Sequence, residues 1–355
     1  MRFGLLAFIC ACGVLHAQRP ATSIRPSVSN GNQTFANQGG TNQAPSKSKL
    51  KIFLPAFGFL VDASGAGLIA IRGTAPSPVL GETIAKPSGV TAIYLPPREH
   101  YALVERSSPE AIAVWHLARR HVTESGDVLD ALPGALSHPD SVVFSPKGTA
   151  VALFSSASSK WQIIAGLPGT PSIKGEVSVS GLGQLASVSV SDDGQILLAV
   201  SASGQMSVSS EGNAMRSLPG YYSPLALTFV ATTHDAVISD AQQKQLVLIE
   251  AVEAQALPHV LGTNLQPDHL ATCGDGELLI ASDAAHQQLW EIDTKAFSVT
   301  PVALSQPPDT LALLRDGHTF LISDSPLVLL KTPDLSSSPQ LSVHTGAIAA
   351  AGGQH

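Results

Sequence analysis

A degenerate repeat of about 42 residues runs from residue 57 to residue 343, and a repeat of that length constrains the fold more than any other feature of the chain. Three segments show its frame: Leu185 to Ser203 (LASVSVSDDGQILLAVSAS), His269 to Ala285 (HLATCGDGELLIASDAA) and Thr310 to Pro326 (TLALLRDGHTFLISDSP). Each has an apolar strand, a tight turn carrying Asp-Gly, a second strand richer in Leu, Ile and Val, and a small polar break. Gly accepts the positive φ such a turn demands and Asp bonds its local backbone, so each segment reads as a β-hairpin. The frame recurs at Val142 to Ser156 and Ala226 to Ala241, and in more diverged form at Val90 to Arg106 and Phe57 to Gly73.

Seven units therefore succeed one another. Markers taken as the residue just after the second strand fall at Arg72, Glu105, Ser155, Ser201, Ser239, Ser282 and Ser323, with gaps of 33, 50, 46, 38, 43 and 41 residues. The mean matches one four-stranded blade, and the fold class expected is all-β, a β-propeller of seven four-stranded blades over residues 50–345. The short first gap and long second one imply that blade 1 lacks an outer strand or that blade 2 is out of register, with six or eight blades as the competing counts. Composition agrees: charged residues make up 13% and aromatics 5%, whereas Gly (30) and Pro (25) are plentiful, as many short strands joined by tight turns require. Continuous apolar runs such as Leu311 to Leu314 and Leu327 to Leu330 suit sheets covered on both faces.

The segments Phe144 to Gly148 (FSPKG) and Val190 to Gly194 (VSDDG) resemble the repeats of bacterial YVTN and WD40-like propellers. Ile238 to Ile249 (ISDAQQKQLVLI) and Ala281 to Ile292 (ASDAAHQQLWEI) are similar to the repeats of NHL propellers. The resemblance covers the repeat region only and implies the fold. It leaves function open, because these groups range from scaffolds to hydrolases.

Residues 1–17 have the plan of a signal peptide: Arg2, an apolar run from Phe3 to Val14, and Ala17 at the cut. The chain is therefore expected to be exported, to the periplasm or outside the cell, with Cys12 as the acceptor in a competing lipoprotein reading. Residues 18–48 are rich in Ser, Asn, Gln, Thr, Pro and Gly and are expected to form a disordered polar linker. Residues 346–355 form a flexible tail on the same reasoning. Ile52 to Ile71 has the length of a membrane span, but Pro55, its glycines and Asp62 oppose insertion, and two strands around a turn at 62–67 account for the same residues. No membrane span is expected.

The net charge of -7 and the lack of a basic stripe argue against nucleic acid. Arg119-Arg120-His121 is the one basic knot. Outside the presequence only Cys273 remains, which excludes an internal disulfide. Gly65-Ala66-Gly67 and Gly181-Leu182-Gly183 match part of a dinucleotide fingerprint but open no helix, and no nucleophile-elbow, P-loop or zinc motif is present. No catalytic residue and no cofactor is assigned.

Three patterns remain. Arg98, Glu99, His100, Tyr101, Glu105 and Arg106 form the densest ionisable cluster, in the most diverged blade, and are the candidate ligand-binding group. Asp240, Asp283 and Asp324 all follow Ser after a second strand, so a closed ring would set them on one face, where they would bind a metal or shape their own turns. Trp115, Trp161 and Trp290 fall in third strands, a position suited to packing between blades. The function expected is a monomeric, non-catalytic binding or scaffold module for a protein, glycan or small ligand. A lactonase-type hydrolase with its site at the channel mouth is the competing class. An enzyme would gather ionisable groups at one mouth of the channel, and a display module would carry an exposed apolar or aromatic patch on its rim or loops.

Overall fold

In a computed structural model, every described residue outside turns and loops lies in antiparallel β-sheet. The described residues are 56–74, 77–117, 129–254, 256–274, 276–302, 304, 307–324, 327–332 and 342–346. They build seven sheets in sequence order, over residues 56–85, 90–131, 141–178, 185–221, 224–263, 269–302 and 312–346. The protein is a seven-bladed β-propeller. Blades 2 to 7 each hold four strands in simple meander order, and blade 1 holds three: Ala56–Val61, Gly67–Thr74 and Ser77–Ala85. The short first gap thus reflects a blade with no outer strand among the described residues. The seven marker residues lie within the second strands and not just beyond them, because each strand runs one or more residues further than its apolar run, and residues 56–71 are a hairpin with Val61 paired to Leu68. No helix of the described residues is long and apolar enough to cross a membrane.

Burial follows strand position. In blade 4 the second strand, Ile196–Ser201, is buried along its whole length, while the outer strand of blade 3, Ser172–Ser178, is mostly exposed. The cause is that middle strands are covered on both faces by the neighbouring blades, so apolar side chains pack to either side and alternation disappears. The core is accordingly divided into seven clusters, one per blade junction. Leu103 and Val114 of blade 2 meet Leu153 and Ile164 of blade 3; Leu198 and Val208 of blade 4 meet Phe229 and Ile238 of blade 5. Trp115, Trp161 and Trp290 are buried in the junctions 1–2, 3–4 and 5–6.

The junction of blade 7 with blade 1 closes the ring and is the thinnest. Leu314, Leu321, Leu327 and Leu329 of blade 7 meet one fully buried residue of blade 1, Ile71, with Phe57, Leu60 and Leu80 partly buried beside them. Each sheet is built from consecutive strands, so among the described residues no strand from one end of the chain completes a blade at the other. Hydrogen bonds supplement the packing here: the Arg315 backbone N–H donates to Phe57 O at 3.1 Å, and the Arg315 guanidinium to Leu117 O at 2.7 Å while lying 5.8 Å from the centre of the Phe59 ring.

Turns between first and second strands share one face of the ring and staple adjacent blades. In blade 4, Asp192 accepts from Lys147 N–H of blade 3 at 2.7 Å and from Thr232 N–H of blade 5 at 2.9 Å. Gly194 supplies the positive φ (69°) that this turn needs, and a Cβ there would come within 2.7 Å of Ala165 Cβ. Beside it His234 of blade 5 lies 3.0 Å from both Asp193 of blade 4 and Glu253 of its own blade. Burial alone would lower the His234 pKa, but its two hydrogen-bonded carboxylates outweigh that and raise it. Burial opposes ionisation of Asp193, and bonds from Ser191, Gln195 and His234 lower its pKa nonetheless. The stabilisation from the raised histidine is complete below 6.5 and is lost as pH rises through the higher folded value. That from Asp193 is complete above 3.8 and is lost as pH falls. Asp193→Asn is therefore expected to lower stability between those limits, by no more than about 1 kcal/mol given solvent screening, and to matter less at pH 9, as urea unfolding at pH 5.5 and pH 9 would reveal.

Candidate functional site

The first strands of the seven blades surround one cavity of about 410 Å³ on the ring axis. Its wall is mainly apolar, with Phe59 and Val61 from blade 1, Leu95 from blade 2, Phe144 from blade 3 and Leu313 from blade 7. Hydroxyl residues line it from blades 3 to 6, Ser145 being the one in blade 3. Ser189, Thr228 and Thr272 occupy equivalent positions in blades 4, 5 and 6, each one residue before the last of its strand. The Ser189 hydroxyl accepts from Phe229 N–H at 3.3 Å, which ties blade 4 to blade 5 at the wall.

One end of this channel is covered by the blade 2 loop that follows the first strand, Val90–Tyr94. A loop in its ordinary place would touch only blades 1 and 3. This one also reaches blades 6 and 7: Arg98 N–H donates to Leu313 O at 3.1 Å, and the Arg98 guanidinium donates to Gly274 O. Pro96 and Pro97 rest on blade 3 at Gly148 (φ 68°), where a Cβ would lie 2.9 Å from both Pro96 Cβ and Pro97 O. The crossing forces Arg98 and Glu99 into left-handed conformations, φ 66° and 40°, at a cost on the order of 1 kcal/mol each.

Glu99 is the ionisable group of the channel wall among the described residues. Its side chain is 4% exposed, and Oε2 accepts from Phe59 N–H of blade 1 at 2.7 Å. Burial drives its pKa well above the usual carboxylate range; the Phe59 bond and nearby Arg315 pull it down less strongly, and Asp316 adds to the rise. Tyr101 is a support. Its ring sits in the junction of blades 2 and 3, its hydroxyl donates to Gly148 O at 2.7 Å, and burial raises its pKa.

The six candidate residues of blade 2 divide between the two ends of its second strand, Tyr101–Ser107. Arg98, Glu99 and exposed His100 belong to the channel cover, with Tyr101 beneath it. Glu105 and Arg106 lie at the far end. There Glu105 bonds His138 Nδ1 and lies 3.5 Å from the Tyr94 hydroxyl, and Arg106 donates to Ser108 O at 3.2 Å. The Glu105 bond raises the His138 pKa first of all, and burial with the Glu105 charge raises that of Tyr94. His138 is distant in sequence from Glu105 and carried no signal of this contact.

Asp240 and Asp283 are buried and occupied by their own turns. Asp240 Oδ1 accepts from Gln242 N–H at 2.9 Å, and Asp283 Oδ1 from His286 N–H at 3.0 Å; Asp324 is exposed. No three His, Cys, Asp or Glu side chains converge as for a metal among the described residues. Cys273 is buried, 3.1 Å from the Thr332 hydroxyl, with its pKa raised chiefly by burial. Arg119, Arg120 and His121 lie outside the described residues, as do residues 1–55 and 347–355, on which the expected export signal, linker and most of the expected tail fall.

No protein-family model and no curated protein matches the sequence. Among solved structures, the chain is similar to a provisionally assigned 6-phosphogluconolactonase from Bacteroides uniformis, at 12% identity and a TM-score of 0.51 over 83% of this chain and 96% of that one. It is equally similar to a protein from Lactobacillus plantarum, at 15% identity and a TM-score of 0.51 over 82% and 96% of the two chains. Likeness at this identity is a likeness of fold.

Two outcomes test this description. Gly148→Ala adds a methyl group against Pro96 and Pro97 at a positive φ, and is expected to destabilise the protein by about 1 to 3 kcal/mol in denaturant unfolding. Because the Asp240 and Asp283 carboxylates already serve backbone donors, a chelator is expected to leave the melting temperature unchanged; a metal-dependent melt would restore the carboxylate ring as an ion site.

Proposed function

We propose that this chain is an exported, non-catalytic propeller that binds a small molecule in its central channel. The observation that carries the reading is the channel itself, a cavity of about 410 Å³, apolar on most of its wall and covered at one end, with Glu99 as its ionisable lining residue among those described. A cavity of this size and character is what small-molecule sites have in common. General acid-base hydrolysis asks instead for an acid and a base converging on one bond. The Bacteroides protein's name raises the competing lactonase reading. A phosphorylated sugar lactone would call for cationic groups in the channel, and the described lining has none.

Native mass spectrometry of protein recovered from its own cells tests the reading. A bound small molecule is expected in the native protein and its loss in Ala312→Phe, which fills the channel. A protein starting at Gln18 would support export. Turnover of lactones that disappears in the same variant would reverse the assignment in favour of the hydrolase.

A further inference from the structure

The Glu99 carboxyl makes one hydrogen bond, through Oε2 to Phe59 N–H, and among the described residues Oε1 has no partner. The side chain is more than nine-tenths buried and lines the channel. Oε1 is not one of the fully enclosed polar atoms of the described residues, so it keeps accessible surface on the channel side, where a ligand group can meet it. The charged groups facing Glu99 are Arg315 and Asp316, from the turn after the first strand of blade 7, and they oppose each other. Phe59, from blade 1, brings only its amide and ring. An ionised carboxylate would therefore be buried without a dedicated counter-ion, whereas the acid form places a hydroxyl at Oε1 while Oε2 continues to accept from Phe59.

We propose that the channel takes an uncharged, largely apolar ligand bearing one hydrogen-bond acceptor, a ketone or ester carbonyl for example, which receives the Oε1 hydroxyl of Glu99. The apolar body of the ligand packs against Phe59, Leu95, Phe144 and Leu313, and the Ser189, Thr228 and Thr272 side serves any second polar atom. Because burial holds the Glu99 pKa well above its ordinary value, affinity declines as pH is raised through that value and the donor is lost. This inference rests on the channel being a ligand site.

Three probes of nearly one shape separate the possibilities: acetylnaphthalene with an acceptor, ethylnaphthalene without one, and naphthylethylamine with a positive charge. Titration calorimetry of the wild type is expected to show acetylnaphthalene bound roughly three- to tenfold more tightly than ethylnaphthalene, the equivalent of one hydrogen bond. Glu99→Gln keeps a donor and an acceptor, so it should retain that preference and lose its pH dependence. Glu99→Leu should bind the two neutral probes equally, with thermal unfolding confirming that the variant is folded. Preference for the amine, or a ketone preference that survives in Glu99→Leu, overturns the role given to Glu99 and leaves the channel as a ligand site. Failure of all three probes to bind the wild type overturns the channel reading itself.

Discussion

Everything in this molecule depends on the burial of each blade's middle strands against its two neighbours. A single meander of three or four strands has two apolar faces and no means of covering either one. Each junction core is shared, so no blade is stable without the next, and the series ends only when blade 7 meets blade 1. At that last junction Ile71 alone supplies a fully buried side chain from blade 1. The blade 2 loop contributes across the same gap, since it bonds Leu313 of blade 7 and Phe59 of blade 1 within two residues. The cover of the channel and the seal of the ring are thus the same piece of chain.

That dual role explains the strain at Arg98 and Glu99. Arg98 is the third residue of a turn closed by Glu99 N–H to Pro96 O at 3.1 Å, which calls for its positive φ, and Glu99 adds a second non-glycine residue in the same region. The conformation persists because partners on four other blades over-determine it, the circumstance in which strained backbone survives at functional sites. The structural consequence is a cavity with one covered end and a buried carboxyl at that end. The wall is made of first strands, each paired along its length to the buried second strand of its own blade.

The blades were legible in the sequence because their determinants are local. Asp-Gly turns set hairpins, and the apolar second strands mark the positions covered on both faces; Trp115, Trp161 and Trp290 announced junctions because the same strand carried them. The lack of an outer strand in blade 1 among the described residues was visible as a short gap. The site was legible only in part. Glu99 stood out within a dense ionisable run, but its partners Phe59, Arg315 and Asp316 lie on blades 1 and 7, and nothing in the run sets Glu99 apart from Glu105 six residues on. The two point to opposite ends of one strand, and that division is decided by where the strand begins. The His138 contact of Glu105 and the Asp192 staple joining three blades are likewise products of ring closure.

The blade 2 loop lies across the channel and is held there by blades 1 and 7. Amide hydrogen exchange at Phe59 and Arg98 tests it most directly, since their N–H groups are given to Glu99 Oε2 and Leu313 O. The account predicts that both amides exchange as slowly as those of the buried second strands. Exchange of Arg98 at the rate of an exposed loop amide would contradict it, and would mean a channel open at both ends.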